Sequence, residues 1–259
     1  MMYTLFNYEL DDDGIATFTV NRPEKLNAMN DDAWRELGAF MDEVEQTPEI
    51  RAVILTGAGE KAFIAGADLN SLAKKRPATC LGNIAQTALN KVEHCSKPVI
   101  AAVNGFAFGG GCETAIACDF RIVSEKALFA LPETGLGILP GAGGTQRLSR
   151  LIGMGRALDM ILLGRKVGGQ EAVEIGLATL CVPNDQLMDA AKKTAKSLLT
   201  KGPVAVRIAK QVVRASMSSS QDVGLLLEKL ALSALFGTED KAEGVGAFLE
   251  KRDPHYTGN

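Results

Sequence analysis

Two glutamates and a run of glycines are the residues of this chain whose types and spacing could do chemistry. Gly109–Gly111 lead into an apolar helical stretch, Glu113 falls in its first turn, and Glu133 comes later, after Leu131 and Pro132. The free N–H groups at a helix start, together with the positive end of the helix dipole, form a site for a negative oxygen. Two carboxylates near such a site could do acid–base chemistry on a substrate whose oxygen becomes negative there.

A purely structural interpretation of the same residues remains open. The glycines could serve a tight turn with close packing, and Glu113 could be an acid in the first turn of a helix, where the dipole favours it. Glu133 could be a surface acid in a turn after Pro132. These residues alone do not separate the two interpretations.

Other segments, in a fixed order, favour the chemical interpretation. The segments that carry this argument are Ala62–Leu69 (AFIAGADL), Asn104–Phe108 (NGFAF) and Gly135–Leu148 (GLGILPGAGGTQRL). Together with the glycines and glutamates they resemble the enoyl-CoA hydratase (crotonase) family. The resemblance runs from about Arg22 to Arg252, nearly the whole chain, without gaps.

The resemblance implies a fold and an activity. The expected fold is α/β, with a crotonase-like ββα spiral core in residues 1–195. A helical C-terminal region, residues 196–259, would build trimers, usually paired as hexamers. The implied reaction is reversible hydration of 2-enoyl-CoA thioesters to 3-hydroxyacyl-CoA, with an acyl-CoA substrate, no metal and no cofactor beyond the CoA moiety.

The resemblance also implies roles for single residues at the reacting centre. Ala67 and Gly110 match the pair whose backbone N–H groups stabilise the thioester oxygen as it becomes negative, an arrangement called the oxyanion hole. Glu113 would take a proton from water and Glu133 would supply one to the α-carbon. The residues themselves do not decide which glutamate is acid and which is base. Asp68 can cap a short helix that follows Ala67.

CoA recognition is expected from two loops and from the end of the chain. By resemblance, the residues that hold CoA are Lys25, Leu26, Ala28, Ala65, Gly66, Asp68 and Leu69, with Phe248 and Lys251 supplied by a neighbouring subunit. An ordinary solvated lysine is an equally good interpretation of Lys25. Without the resemblance, Phe248 would be a core aromatic residue and Lys251 a cation at a helix end.

Two departures from the family concern the charge near the CoA and the preference for the acyl chain, respectively. Asn70 stands where mitochondrial short-chain members carry a lysine, and Phe129–Pro132 (FALP) replaces a frequent Phe-Gly-Gln-Pro. The segment Ala73–Ala85 is expected to line the acyl pocket. The length and branching of the acyl chain are not predicted.

Hydrophobic patterns predict the elements that position these residues. Tyr3–Leu10 and Ile15–Val20 read as a hairpin, and Asn30 or Asp31 can cap a helix with apolar positions from Trp34 to Val44. Strand–helix alternation up to about residue 123 predicts a parallel sheet with crossover helices. The predicted strands in this part are 51–56, 99–103 and 120–123, and the predicted helices are 79–95 and 110–118. Further helices are predicted over 156–163, 170–175, 185–199, 204–216, 223–236 and 241–251.

Composition narrows the class of protein. With 28 Lys and Arg against 31 Asp and Glu, the net charge of −3 gives no reason to expect nucleic acid or membrane as a partner. Five scattered cysteines and two histidines offer no zinc-ligand spacing and indicate reduced thiols. Without a basic leader or a long apolar stretch, the protein is expected to be cytoplasmic.

Two other functions remain as alternatives. An enoyl-CoA isomerase of the same fold would use one acid to move a proton along the acyl chain. A non-catalytic or RNA-binding crotonase-like protein would require a concentrated basic face, and the basic residues here are spread along the chain.

Overall fold

The computed structural model describes residues 3–259. Residues 1 and 2, with which the predicted core begins, lie outside the described residues. Ten strands form two sheets in the described part of the chain. They are β1 (Phe6–Leu10), β2 (Ile15–Val20), β3 (Ala52–Gly57), β4 (Ala62–Ile64), β5 (Val99–Val103), β6 (Phe106–Phe108), β7 (Phe120–Ser124), β8 (Leu128–Ala130), β9 (Val167–Gly168) and β10 (Leu180–Val182).

The first sheet has the order β1-β2-β3-β5-β7-β10. β1 and β2 form the predicted hairpin, with Phe6 opposite Val20, and every later pairing in this sheet is parallel. β3 and β5 are buried along their whole length, as expected for parallel strands covered on both faces. The turn between β1 and β2 is closed by Asp11, whose Oδ1 accepts from the N–H of Ile15 at 2.9 Å.

The second sheet has the order β4-β6-β8-β9 and was not predicted. β4, β6 and β8 run parallel, and each has three residues. The carboxyl ends of adjacent parallel strands lie at one edge of a sheet. The loop of Ala67, the start of the glycine run and the segment of Glu133 each follow one of these strand ends, so the second sheet brings them together.

Helices cover the sheets and form the C-terminal part. They are α1 (Asp31–Gln46), α2 (Leu69–Ala73), α3 (Pro77–Leu81), α4 (Ile84–His94), α5 (Gly110–Ala117), α6 (Gly144–Ile152), α7 (Met154–Leu162), α8 (Gly169–Glu174), α9 (Leu187–Leu199), α10 (Pro203–Ala215), α11 (Gln221–Leu235) and α12 (Glu239–Glu250). Asn30 caps α1 by accepting from the N–H of Ala33 at 2.9 Å, and Trp34 and Val44 are buried as predicted. The predictions for α5 and for α8 to α12 agree closely with these bounds. α6 was not predicted.

The prediction of one helix over 79–95 is wrong. The chain breaks there at Gly82 and Asn83 into α3 and α4. Asn83 leaves helical geometry because its side chain caps α4 through the N–H of Gln86 and donates to the carbonyl of Gly141 at 2.7 Å. This contact ties the start of α4 to the glycine-rich segment before α6.

The C-terminal helices differ in how they are covered. α9 packs on the first sheet through Leu187, Ala191 and Ala195, so the predicted division after residue 195 falls inside this helix. α11 leaves a row of leucines exposed within the single chain, among them Leu226, which is 53% exposed, and Leu230, which is 59% exposed. The assignment of residues 196–259 to oligomerisation stays a prediction.

Candidate active site

Gly109 places the start of α5 against the two neighbouring loops. Its N–H donates to the carbonyl of Ala130 at 2.9 Å, and its φ of 51° with ψ of −120° is a conformation that favours glycine. A Cβ at this position would lie 2.7 Å from Glu133 Oε1 and 3.9 Å from the Cα of Gly66. At Gly111 a Cβ would overlap the carbonyl of Ile64, so glycine also permits α5 to approach the end of β4.

The N–H groups of Ala67 and Gly110 lie on two of these adjoining loops. Neither donates a hydrogen bond to another group within residues 3–259. Gly110 is the first residue of α5, where a backbone N–H has no partner inside the helix. The loops that carry the two predicted oxyanion-hole donors therefore adjoin, and both N–H groups lack a hydrogen-bond partner among the described residues.

Glu113 is buried, with 3% of its surface exposed, and one of its oxygens is tightly held. Glu113 Oε1 accepts from the N–H of Ala142 at 2.7 Å and from the N–H of Gly144 at 2.8 Å. Burial raises the pKa of Glu113 above its ordinary value. These two N–H groups and the positive charge of Arg147 lower the pKa again, but only in part.

Glu133 is half-buried at the start of a 3₁₀ turn, Glu133–Leu136, which follows β8. Its Oε2 atom is buried and makes no hydrogen bond within the described residues. Burial is the main cause that raises its pKa to about 7, and the negative charge of Glu113 raises it further. A carboxyl group with this pKa can hold a proton near neutral pH.

The two loops predicted to hold CoA are hydrogen-bonded to each other. Ala65 N–H donates to the carbonyl of Leu26 at 3.1 Å, and Met29 pairs with the 66–68 backbone on both sides of Ala67. Asp68 Oδ1 caps α2 by accepting from the N–H groups of Asn70 and Ser71, which confirms the predicted cap.

A buried arginine also joins these loops. Arg22 donates to the carbonyl of Ala28 and lies 3.4 Å from Asp68 Oδ2. Lys25, Leu26 and Leu69 are exposed beside it, where a ligand can reach them.

Phe248 and Lys251 lie apart from this group in the single chain. Phe248 is 83% exposed near the end of α12, and Lys251 caps that helix in the left-handed conformation. No hydrogen bond or ion pair within residues 3–259 joins either side chain to the 22–29 or 65–69 loops. Their predicted contribution to a neighbouring subunit stays a prediction.

The contacts that hold Glu113 were not predicted from the sequence. The donors Ala142 and Gly144 belong to the quoted segment Gly135–Leu148, but nothing in the pattern pointed them at Glu113. The run Gly141–Gly144 was the available signal, because repeated glycines before a helix indicate a backbone that approaches another group closely.

A cavity of about 820 Å³ lies elsewhere, between α10 and the face formed by α4 and α6. Its lining includes Glu93, Arg147, Lys210 and Arg214, but neither of the two glutamates. Within residues 3–259 no helix is both long and apolar enough to cross a membrane. The same residues contain no cluster of His, Cys, Asp and Glu able to hold a metal ion. The expectation that the site uses no metal stays a prediction.

The two sheets, the paired loops and the C-terminal helices define a crotonase-like fold, as predicted. A solved structure of enoyl-CoA hydratase from Bacillus anthracis superposes with a TM-score of 0.95 at 41% identity, covering 99% of this chain and all of the other. The chain belongs to the enoyl-CoA hydratase/isomerase family, whose sequence pattern matches residues 11–259. This confirms the resemblance found in the sequence.

Curated relatives are similar over almost their full length. The short-chain-enoyl-CoA hydratase of Clostridium acetobutylicum is 45% identical over 251 residues, which cover 96% of each chain. The crotonyl-CoA hydratase of Syntrophomonas wolfei is 41% identical over 244 residues, covering 93% of this chain and 94% of the relative.

Proposed function

We propose that this protein catalyses the reversible addition of water to 2-enoyl-CoA thioesters. The observation that carries the proposal is the pair of carboxyl groups, buried Glu113 and half-buried Glu133, beside two free backbone N–H groups. The names of its relatives, which include a short-chain-enoyl-CoA hydratase and a crotonyl-CoA hydratase, support the same reaction.

The N–H groups of Ala67 and Gly110 would bind the thioester oxygen. Addition of water at the β-carbon moves negative charge onto this oxygen, and two donors fixed in place stabilise that charge. Removing one such donor typically raises the barrier by about 3 kcal/mol. Both donors are backbone groups on adjoining loops, so their directions are set before substrate arrives.

The environments of the two glutamates support different roles. Glu113 accepts two N–H hydrogen bonds, which stabilise its ionised form, so it is suited to take a proton from water. Glu133, whose pKa is about 7, is suited to deliver a proton to the α-carbon. The hydroxyl group of the water joins the β-carbon, and the two carboxyl groups end with exchanged protonation states. A proton transfer through solvent then restores them.

The CoA moiety would bind along the paired 22–29 and 65–69 loops, with Lys25 near a phosphate. Leu26 and Ala28 from the first loop, and Ala65, Gly66, Asp68 and Leu69 from the second, would shape this surface. No cofactor beyond the CoA of the substrate is part of the proposal.

The proposed assembly is a homo-oligomer in the cytoplasm, a trimer or a dimer of trimers. The exposed leucines of α11 support it, because large apolar patches are usually covered by a partner. Light scattering of the purified protein measures the mass directly. A monomeric mass at micromolar concentration would contradict the proposed assembly.

The test of the reaction is turnover of crotonyl-CoA in H₂¹⁸O by wild type and by Glu133→Gln. We expect loss of the enoyl absorbance and one ¹⁸O atom in 3-hydroxybutyryl-CoA. The variant should be slower by at least about 1,000-fold, because one of the two proton-transfer groups is lost. A double bond that moves without ¹⁸O incorporation would favour the isomerase. No reaction with enoyl chains of any length would overturn the proposal.

A further inference from the structure

The loop that holds Glu113 is itself held by an arginine from α6. Arg147 Nη1 donates to the carbonyl of Ala142 at 2.8 Å. The N–H of the same residue, Ala142, donates to Glu113 Oε1 at 2.7 Å, and Gly144 supplies the second N–H. One peptide segment therefore lies between the guanidinium group and the carboxylate, bonded to both.

Arg147 is fixed by further contacts. Its Nη2 lies 2.6 Å from Glu93 Oε2 on α4 and 2.7 Å from the side-chain oxygen of Asn90. The other oxygen of Glu93 accepts from Arg214 on α10 at 3.0 Å. The Arg147 side chain is 11% exposed, so these ion pairs are shielded from water far more than surface pairs are.

The backbone beside Arg147 is built for its close approach. Gly143 has φ of 109°, and a Cβ at this position would overlap the guanidinium group. Any other residue would push the arginine away from the carbonyl of Ala142. At Gly144 a Cβ would lie 3.0 Å from Glu113 Oε1, so the second glycine leaves room for the carboxylate.

We propose that Arg147 is a positioning residue that sets the orientation and the charge state of Glu113 through the 142–144 backbone. The inference rests on the proposed role of Glu113 as the base. With both hydrogen bonds of the loop directed to Oε1, the Oε2 atom of Glu113 makes none within residues 3–259 and is left for the water. Loss of Arg147 would free the loop, weaken the two N–H bonds and remove a positive charge.

The direction of the expected pKa change follows from the charges around Glu113. Burial favours its protonated form, while the two N–H groups and Arg147 favour the ionised form. The charge of Glu113 also acts on the neighbouring Glu133. Around Arg147 itself the charged groups are Glu93 from α4 and Arg214 from α10. Removing Arg147 takes away one of the influences that oppose burial and frees the loop that carries the two N–H groups, so the pKa of Glu113 should rise.

The experiment compares Arg147→Met, Arg147→Lys and Arg150→Met with wild type in pH profiles of kcat and KM. Arg150 is a matched control, since it lies on the same helix, is exposed, and within residues 3–259 bonds only to Gln146. For Arg147→Met we expect kcat to fall at least about tenfold with KM nearly unchanged, and the acidic limb to move up by about one pH unit. In Arg147→Lys the acidic limb should lie between those of wild type and Arg147→Met. Arg150→Met should have the pH profile of wild type.

A second readout does not depend on turnover. The ¹³C carboxyl signal of Glu113, assigned by its loss in Glu113→Gln, reports the pKa of this group by NMR titration. A higher pKa in folded Arg147→Met supports the inference even if wild type proves not to be a hydratase, in which case only the proposed function fails. An unchanged pKa and an unchanged acidic limb in folded Arg147→Met would overturn the inference, whatever happens to kcat.

Discussion

The carboxylate of Glu133 packs against the backbone of Gly109, with Oε1 placed 2.7 Å from where a Cβ at position 109 would be. The two residues follow neighbouring strands, β8 and β6, and Gly109 also donates its N–H to Ala130 at the end of β8. Because Gly109 caps α5, the same glycine sets the place of one proposed catalytic carboxylate and the direction of the proposed oxyanion donor that follows it.

Gly109→Ala should therefore lower both stability and activity. The backbone conformation at Gly109 costs an L-residue about 1–3 kcal/mol. A displacement of Glu133 by about 1 Å should reduce kcat/KM by about 100-fold. Urea unfolding and crotonyl-CoA turnover measure the two effects separately.

Gly155→Ala is the matched control for that change. Gly155 is the second residue of α7, its φ is not positive, and no atom of residues 3–259 would lie within 4 Å of an added Cβ. Alanine there should stabilise the protein by about 0.5–1 kcal/mol and leave turnover unchanged. If Gly109→Ala and Gly155→Ala had the same stability and the same turnover, the contact between Gly109 and Glu133 would not matter for either property.

Glu133→Gln should change how stability depends on pH. Since the pKa of Glu133 is raised from 4.5 to about 7, the folded protein binds more protons than the unfolded chain between these values. Its contribution to the free energy of unfolding is therefore present below pH 4.5 and is lost as the pH rises through about 7. Glutamine does not ionise, so Glu133→Gln does not lose stability in this way. Its free energy of unfolding should therefore rise relative to that of wild type between pH 4.5 and about 7.

Urea midpoints at pH 4.5, 6 and 8 test this prediction. Gln170→Ala, which changes an exposed side chain that does not ionise, should stay parallel to wild type over the range. If the difference in urea midpoint between Glu133→Gln and wild type were the same at pH 4.5 and at pH 8, the pKa of Glu133 would not be raised.

Asn27→Ala should weaken both the fold and CoA binding. The side chain is fully buried, donates to the carbonyls of Ala58 and Ala62 and accepts from the N–H of Arg22. Loss of these bonds should cost about 3 kcal/mol in the free energy of unfolding. Because Asn27 holds the 22–29 loop, we expect a higher KM for crotonyl-CoA.

Asn21→Ala provides the comparison for Asn27→Ala. Asn21 is exposed, and its side chain donates to Asn7 Oδ1 at 3.2 Å, its one bond in the described part of the chain. The control should lose less than about 0.5 kcal/mol, as is usual for surface substitutions. A KM for Asn27→Ala as low as that of the control would show that this asparagine does not support the CoA site.

Regular periodicity explains what could be predicted of the fold. α1 carries apolar residues at helical spacing from Trp34 to Val44, and β3 begins with the apolar run Ala52–Leu55, so each pattern indicates one kind of element. The second sheet has no comparable signal, because strands of three residues such as β4 and β6 are too short to show a period. Its existence depends on pairing between distant segments.

In the candidate site, too, some residues could be predicted from the sequence and others could not. Glu113, Glu133 and the glycine run could be found because they resemble a known family at matching positions. The contacts of Arg147 with Ala142 and Glu93 could not, since an arginine in an amphipathic helix reads as a surface cation until the fold brings α4 beside it. The break at Asn83 was missed for a similar reason, because its side chain bonds to the distant Gly141 as well as to its own helix.

The pH profile of kcat/KM should be bell-shaped, and each limb should depend on one glutamate. Activity requires Glu113 ionised and Glu133 protonated, so it should rise as Glu113 loses its proton and fall as Glu133 does, near pH 7. The residual activity of Glu133→Gln should lose the fall on the alkaline side, because glutamine does not ionise. In Glu113→Gln the rise on the acidic side should disappear instead. Because the two carboxyl groups influence each other, the apparent pKa values of the wild-type profile belong to the pair. The single variants show which limb depends on which glutamate. If Glu133→Gln kept the alkaline fall, another group would be the proton donor and the assignment of Glu133 would be wrong.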